Sequence, residues 1–143
     1  MYFYQFMHNR AVWVAILSWL IAQLIKLIST FITEKKVDFS RMYGSGGMPS
    51  SHTSLVMAMV VSVGKQAGFH SPVFAVGLIL AFIVMYDAAG VRRATGKQAA
   101  IINVLMNQAK MPIEEQLKEL LGHTPLQVMA GAGLGILIGA WLG

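Results

Sequence analysis

Two histidines stand where an imidazole could carry out phosphoryl chemistry. One lies in the run Gly46-Gly47-Met48-Pro49-Ser50-Ser51-His52-Thr53, the other in Gly122-His123-Thr124-Pro125-Leu126-Gln127. Both runs are polar and lead into apolar stretches, at Leu55 and Leu126. Pro49, Ser50, Ser51 and Thr53 are residue types that start helices. The first turn of a helix offers unpaired N–H groups and the positive end of its dipole, so Gly47, Ser50 and Ser51 could line an anion site. Near neutral pH an imidazole can give or take a proton, or attack as a nucleophile. Arginine and lysine would stabilise the charge on a transferring phosphoryl group, and Arg92, Arg93, Lys26 and Lys36 are the candidates. Asp87 could supply a carboxylate. Each residue also has a plainer reading: a helix cap for either histidine, a membrane-surface anchor for Arg92-Arg93, a helix-end ion pair for Asp87. Two histidines and one aspartate show no diagnostic metal-ligand spacing, and no cofactor is implied.

The elements that must position these groups are apolar. Of 143 residues, 56% are hydrophobic and 12% charged, against about 25% charged in soluble domains. The chain therefore reads as one integral-membrane domain, residues 1–143, an all-α bundle of about four transmembrane helices with short interfacial helices. It has no cysteine, which excludes disulfides and thiolate metal sites. The net charge of +5 is spread along the chain with no basic stripe interleaved with aromatics, so lipid headgroups and phosphate explain it better than nucleic acid. No cleavable signal peptide is evident.

Residues 11–31 form the first apolar run, long enough at about 1.5 Å per residue to cross a hydrocarbon core of about 30 Å. Lys26 lies toward its end, either snorkelling to the interface or pointing inward at an anionic ligand. A polar connection, 33–47, leads to the second run, 55–63, which could extend to Phe69. The third run covers 73–86. Beyond Asp87 the pattern reads as a helix leaving the membrane or lying on it. Pro112 opens a short amphipathic helix that Gly122 stops. The last run, 126–142, carries Gly131, Gly133, Gly135 and Gly139, which permit close helix packing.

Four crossings have a simple consequence. The connection 33–52 and the segment 87–124 fall on the same membrane face, so His52, Asp87, Arg92, Arg93 and His123 share it. Lys35, Lys36, Arg41, Arg92, Arg93, Lys97, Lys110 and Lys118 lie on that face, and Arg10 and Lys65 on the other. The positive-inside rule makes the site face cytoplasmic and both termini external.

At these residues the chain resembles the type-2 phosphatidic acid phosphatase superfamily, which includes vanadium haloperoxidases, and within it a small divergent bacterial branch, the YuiD-like proteins. Four ordered segments carry the resemblance: Ala22-Gln23-Leu24-Ile25-Lys26, the run from Gly46 to Thr53, Tyr86-Asp87-Ala88 through Gly90-Val91-Arg92-Arg93, and the run from Leu117 to Pro125. The superfamily's P-S-G-H motif reads Pro49-Ser50-Ser51-His52 here. The resemblance implies that His52 is the general acid and His123 the nucleophile that forms a phosphohistidine. Leu117 replaces the arginine of the last superfamily motif, and Gln127 replaces its aspartate. Gln127 can orient an imidazole but cannot stabilise its positive charge as a carboxylate would. Arg92 or Arg93 could supply the missing arginine and Asp87 the missing carboxylate. The first superfamily motif, K, six residues, R-P, is unmatched, because Lys35 and Arg41 are one residue too close; Lys26 is favoured over Lys36.

The expected function is that of a lipid phosphate phosphatase in the bacterial inner membrane, acting at its cytoplasmic face without a metal. Phosphatidylglycerophosphate is the leading substrate expectation, ahead of phosphatidic acid and polyprenyl phosphates. The alternative is a non-catalytic lipid-phosphate binder or carrier, and a third possibility is a structural membrane subunit. The bilayer is the expected environment. Four spans make a thin scaffold, so the reading also allows a homodimer.

Overall fold

The computed structural model of the protein describes residues 1–35, 47–109, 117, 119 and 121–143. Its helices are α1 (Tyr2–Met7), α2 (Arg10–Glu34), α3 (Ser51–Ala67), α4 (Pro72–Ala89), α5 (Val91–Gln108) and α6 (Pro125–Leu142), and no strand occurs among the described residues. Lys36, most of the 33–47 connection and the amphipathic helix expected after Pro112 lie outside the described residues, although Leu117 and Glu119 are within them.

Three stretches are long and apolar enough to cross a membrane: Arg10–Ile32, Pro72–Gln108 and Pro125–Leu142. The middle one has 37 residues, about 55 Å of helix, too long for one crossing of a core of about 30 Å. It breaks at Gly90, whose ψ of −85° ends α4 and starts α5. α3, with 17 residues, is not among the three. Its serines, Lys65 and Gln66 lower its hydropathy, yet it is the helix at the centre, packed against α2, α4 and α6.

The α3–α6 seam fixes this arrangement. A Cβ on Gly131 would strike the Ser50 carbonyl, one on Gly135 the Ser54 carbonyl, one on Gly139 the Ala58 carbonyl, and one on Gly143 would meet Ser62. Both ladders advance four residues at a time in the same direction, so α3 and α6 run parallel with backbones nearly touching. In a membrane, where tails are as apolar as leucine, such close packing is a main source of helix association. On the other side of α3, antiparallel α2 joins through Ser18 Oγ, 3.1 Å from the Ser54 carbonyl and 2.6 Å from Ser54 Oγ. α3 thus runs the depth of the bundle beside α2 and α6.

The apolar surface is turned outward. Val76, Ile79, Phe82 and Ile83 of α4, Leu24 and Ile28 of α2, and Met129 and Leu137 of α6 are all exposed. Polar Ser18, Lys26, Ser51, Ser54 and Ser62 are buried instead. This is the inversion expected when lipid is the solvent. At the far end from the histidines, Arg10 Nε and Lys65 Nζ donate to the Leu142 and Ala140 carbonyls, 2.7 and 2.6 Å away, and so cap α6 at the negative end of its dipole.

Candidate functional site

Two turns of similar build meet at one end of the bundle. Each has a glycine in the left-handed region, Gly47 with φ 80° and Gly122 with φ 85°, a conformation that L side chains rarely adopt. Each leads into a capped helix. Ser50 is the N-cap of α3 and accepts from the Thr53 amide; Thr124 caps α6 and, with Gln127, completes a capping box. Backbone hydrogen bonds tie the turns to each other and to the end of α4: Ser50 N–H donates to the Gln127 carbonyl at 3.0 Å, and His123 N–H to the Ala88 carbonyl at 2.9 Å. Two helix N-termini therefore converge, the arrangement that favours an anion.

The charged and titratable side chains gather there. Lys26 is only 4% exposed, and its Nζ donates to Ser51 Oγ at 3.2 Å. It points into the bundle and does not reach for the interface. His52 is the second residue of α3, is exposed, and lies within electrostatic reach of Arg92, Lys26 and Asp87. Asp87 does not touch His123. Its Oδ2 lies 2.6 Å from Arg92 Nε, so it pairs with that arginine beside His52.

His123 is 3% exposed. Its Nδ1 is 3.3 Å from Gln127 Oε1, which also accepts the Thr124 amide at 3.0 Å. An oxygen already accepting from a backbone N–H can only accept again, so Nδ1 must carry the proton. That leaves the lone pair on Nε2, which is buried with no hydrogen-bond partner among the described residues. Burial, helped by the positive charge of Lys26, holds the His123 pKa below the ordinary imidazole value, against the opposing pull of the Gln127 hydrogen bond and the Gly47 backbone. The ring is thus kept neutral.

His123 opens onto a cavity of about 390 Å³, lined also by Gly47, Arg93, Lys97, Glu119 and Gln127. Consecutive Arg92 and Arg93 have different placements. Arg93 lines the cavity, and Arg92 is held by Asp87. Sequence reasoning missed the outer wall. A Cβ on Gly96 would strike the Glu119 carbonyl, and one on Gly122 the Arg93 amide, so α5 and the chain before His123 lie backbone against backbone. Buried Asn103 clamps that segment: its Nδ2 donates to the Leu117 carbonyl at 2.9 Å and to Glu119 Oε1 at 2.7 Å, while its Oδ1 accepts the Leu117 amide at 3.0 Å. The only sequence signal was that Arg93 and Lys97, four residues apart, share a helix face. Among the described residues no group of three histidine, cysteine, aspartate or glutamate side chains could hold a metal.

The chain that folds into this bundle belongs to the divergent PAP2 family, whose model matches residues 7–138. Bacillus subtilis (strain 168) has a relative that is 43% identical over 131 residues, covering 82% of this chain and 83% of that protein. It is described as an uncharacterized membrane protein, YuiD. No solved structure matches the chain.

Proposed function

We propose that this membrane protein is a metal-independent phosphatase for lipid phosphomonoesters, working through a phosphohistidine. The observation that carries the reading is His123 itself, a buried neutral imidazole with Nδ1 engaged by Gln127 and Nε2 free. In this scheme Nε2 attacks phosphorus. An N–P bond forms, the P–O bond to the lipid alcohol breaks, and His52 gives its proton to the departing oxygen. Water then attacks the phosphohistidine with His52 as base, releasing inorganic phosphate and restoring both rings. Lys26, Arg93 and the two helix N-termini balance the phosphoryl charge. Asp87 acts on the acid side, by holding Arg92 near His52.

Phosphatidylglycerophosphate is the leading substrate. The positive-inside bias supports a cytoplasmic active face, since the two cations at the opposite end, Arg10 and Lys65, are already engaged by the α6 carbonyls. A second reading, a lipid-phosphate binder without turnover, is favoured by two features. Leu117, where the superfamily has arginine, meets Asn103 through its backbone, and Gln127 brings no negative charge to the imidazole. Purified protein in detergent, given a panel of lipid phosphates with and without chelator, separates the two. Phosphate release that persists in chelator is the expected result; saturable binding without release on any substrate selects the binder.

A further inference from the structure

Among the described residues Lys26 is the one cation buried in the bundle. No carboxylate among them pairs with it, since the ion pair at this end joins Asp87 and Arg92. An ammonium has three protons to donate, and the hydrogen bond it makes among the described residues goes to Ser51 Oγ, at 3.2 Å. A buried charge without a counter-ion is expensive in protein and in lipid. The lysine therefore sits there against the stability of the empty bundle. A long, flexible side chain also needs its tip held, because lysine carries about 2 kcal/mol of rotamer entropy. The turn that bears His52 does this at two points. A Cβ on Gly47 would lie 3.8 Å from Lys26 Cγ and Cδ, so the turn covers the stem. Ser51, the first residue of α3 and 1% exposed, takes the tip next to His52. The charge so placed is felt by both imidazoles, His52 and His123.

We propose that Ser51 is a positioning residue: its hydroxyl fixes the Lys26 ammonium at the N-terminus of α3, with the remaining ammonium protons left for the oxygens of a bound phosphate. This rests on the reading that a phosphate group binds at these turns, and it holds for an enzyme and for a binder alike. Lys26 then links stability to binding. It burdens the empty bundle, and an anion relieves the burden by supplying the missing counter-charge.

Calorimetry and thermal unfolding of the detergent-solubilised full chain test this, with inorganic phosphate as the probe. Without phosphate, Lys26→Met should unfold at a higher temperature than the wild type. It should also bind phosphate about tenfold more weakly. Ser51→Ala should weaken phosphate binding about fivefold in the wild type and less than about twofold in the Lys26→Met background, because its effect passes through the ammonium. Ser18→Ala is the control for a merely structural serine. Ser18 bonds Ser54 across the same helix pair, eight residues and about 12 Å from Lys26 along α2. That variant should unfold earlier and bind phosphate as the wild type does. If Lys26→Met leaves phosphate binding undiminished, the underlying reading of the site fails. If Lys26→Met weakens binding but Ser51→Ala does not, or Ser51→Ala costs as much in the Lys26→Met background as alone, the positioning role of Ser51 is refuted by itself. A Lys26→Met chain that unfolds earlier than the wild type without phosphate would overturn the link between stability and binding.

Discussion

The two turns are built alike and hold their histidines differently. In the first, His52 follows the cap, on the opening turn of α3, exposed beside Arg92 and Asp87. In the second, His123 precedes the cap, so its ring folds back under α6, buried against Gln127. A shift of a few positions about the cap leaves one imidazole exposed and the other buried, although desolvation is the first cause that lowers the pKa of both below the ordinary imidazole value. In the proposed mechanism the two roles then follow from exposure and hydrogen bonding: His52 is open to solvent, and His123 has Nδ1 engaged by Gln127.

Breaking the buried half should have the largest effect. His123→Ala is expected to lower lipid phosphate hydrolysis by about 10⁴-fold or more, with no rescue by a substrate bearing a good leaving group. His52→Ala should cost about 10²–10⁴-fold on a lipid alcohol and much less on an aryl phosphate, whose leaving group needs no proton. Steady-state rates on the two substrate types measure this contrast, and equal losses for both variants on both substrates would erase the division of roles.

The seam that brings the turns together gives the next effect. Gly131 sits against the Ser50 carbonyl, so Gly131→Ala must push the α3 cap away from α6. It should destabilise the bundle by about 1–3 kcal/mol, read as earlier thermal unfolding in detergent. Gly133, whose Cβ would meet nothing within 4 Å, should accept alanine without loss.

The smallest change sharpens the buried half. The nucleophile must be neutral, so activity is lost as pH falls through the His123 pKa. That pKa is depressed, which places the acid limb of the pH–rate profile below the ordinary histidine range. Gln127→Glu keeps the capping-box geometry and adds a negative charge beside Nδ1. It favours the imidazolium, raises the His123 pKa, and should move the acid limb upward by about one unit. An unmoved limb would mean that His123 does not titrate in the rate.

Much of this was legible in the chain. Three of the four expected runs match stretches long and apolar enough to cross a membrane, and the parity argument put His52, Asp87, Arg92 and His123 at one end, where the hydrogen bonds of Ser50 and His123 join the turns. The ordered motifs resembled the family to which the chain belongs. Other points needed tertiary contacts. Whether Lys26 snorkels or turns inward depends on Ser51 being in reach across a helix interface. Arg92 and Arg93 are neighbours in sequence but about 100° apart around a helix of 3.6 residues per turn, so only the packing of α5 on Gly122 tells them apart. Lys97 read as a topology signal because its cavity exists only once Asn103 has clamped the segment around Leu117.

The central claim is that His123 becomes phosphorylated. Purified protein turning over a radiolabelled lipid phosphate, quenched in base and mapped by mass spectrometry, tests it directly. The expected result is an acid-labile, base-stable label on His123 that His123→Ala abolishes. Phosphate release with no label on His123, or a label carried by another residue, would contradict it.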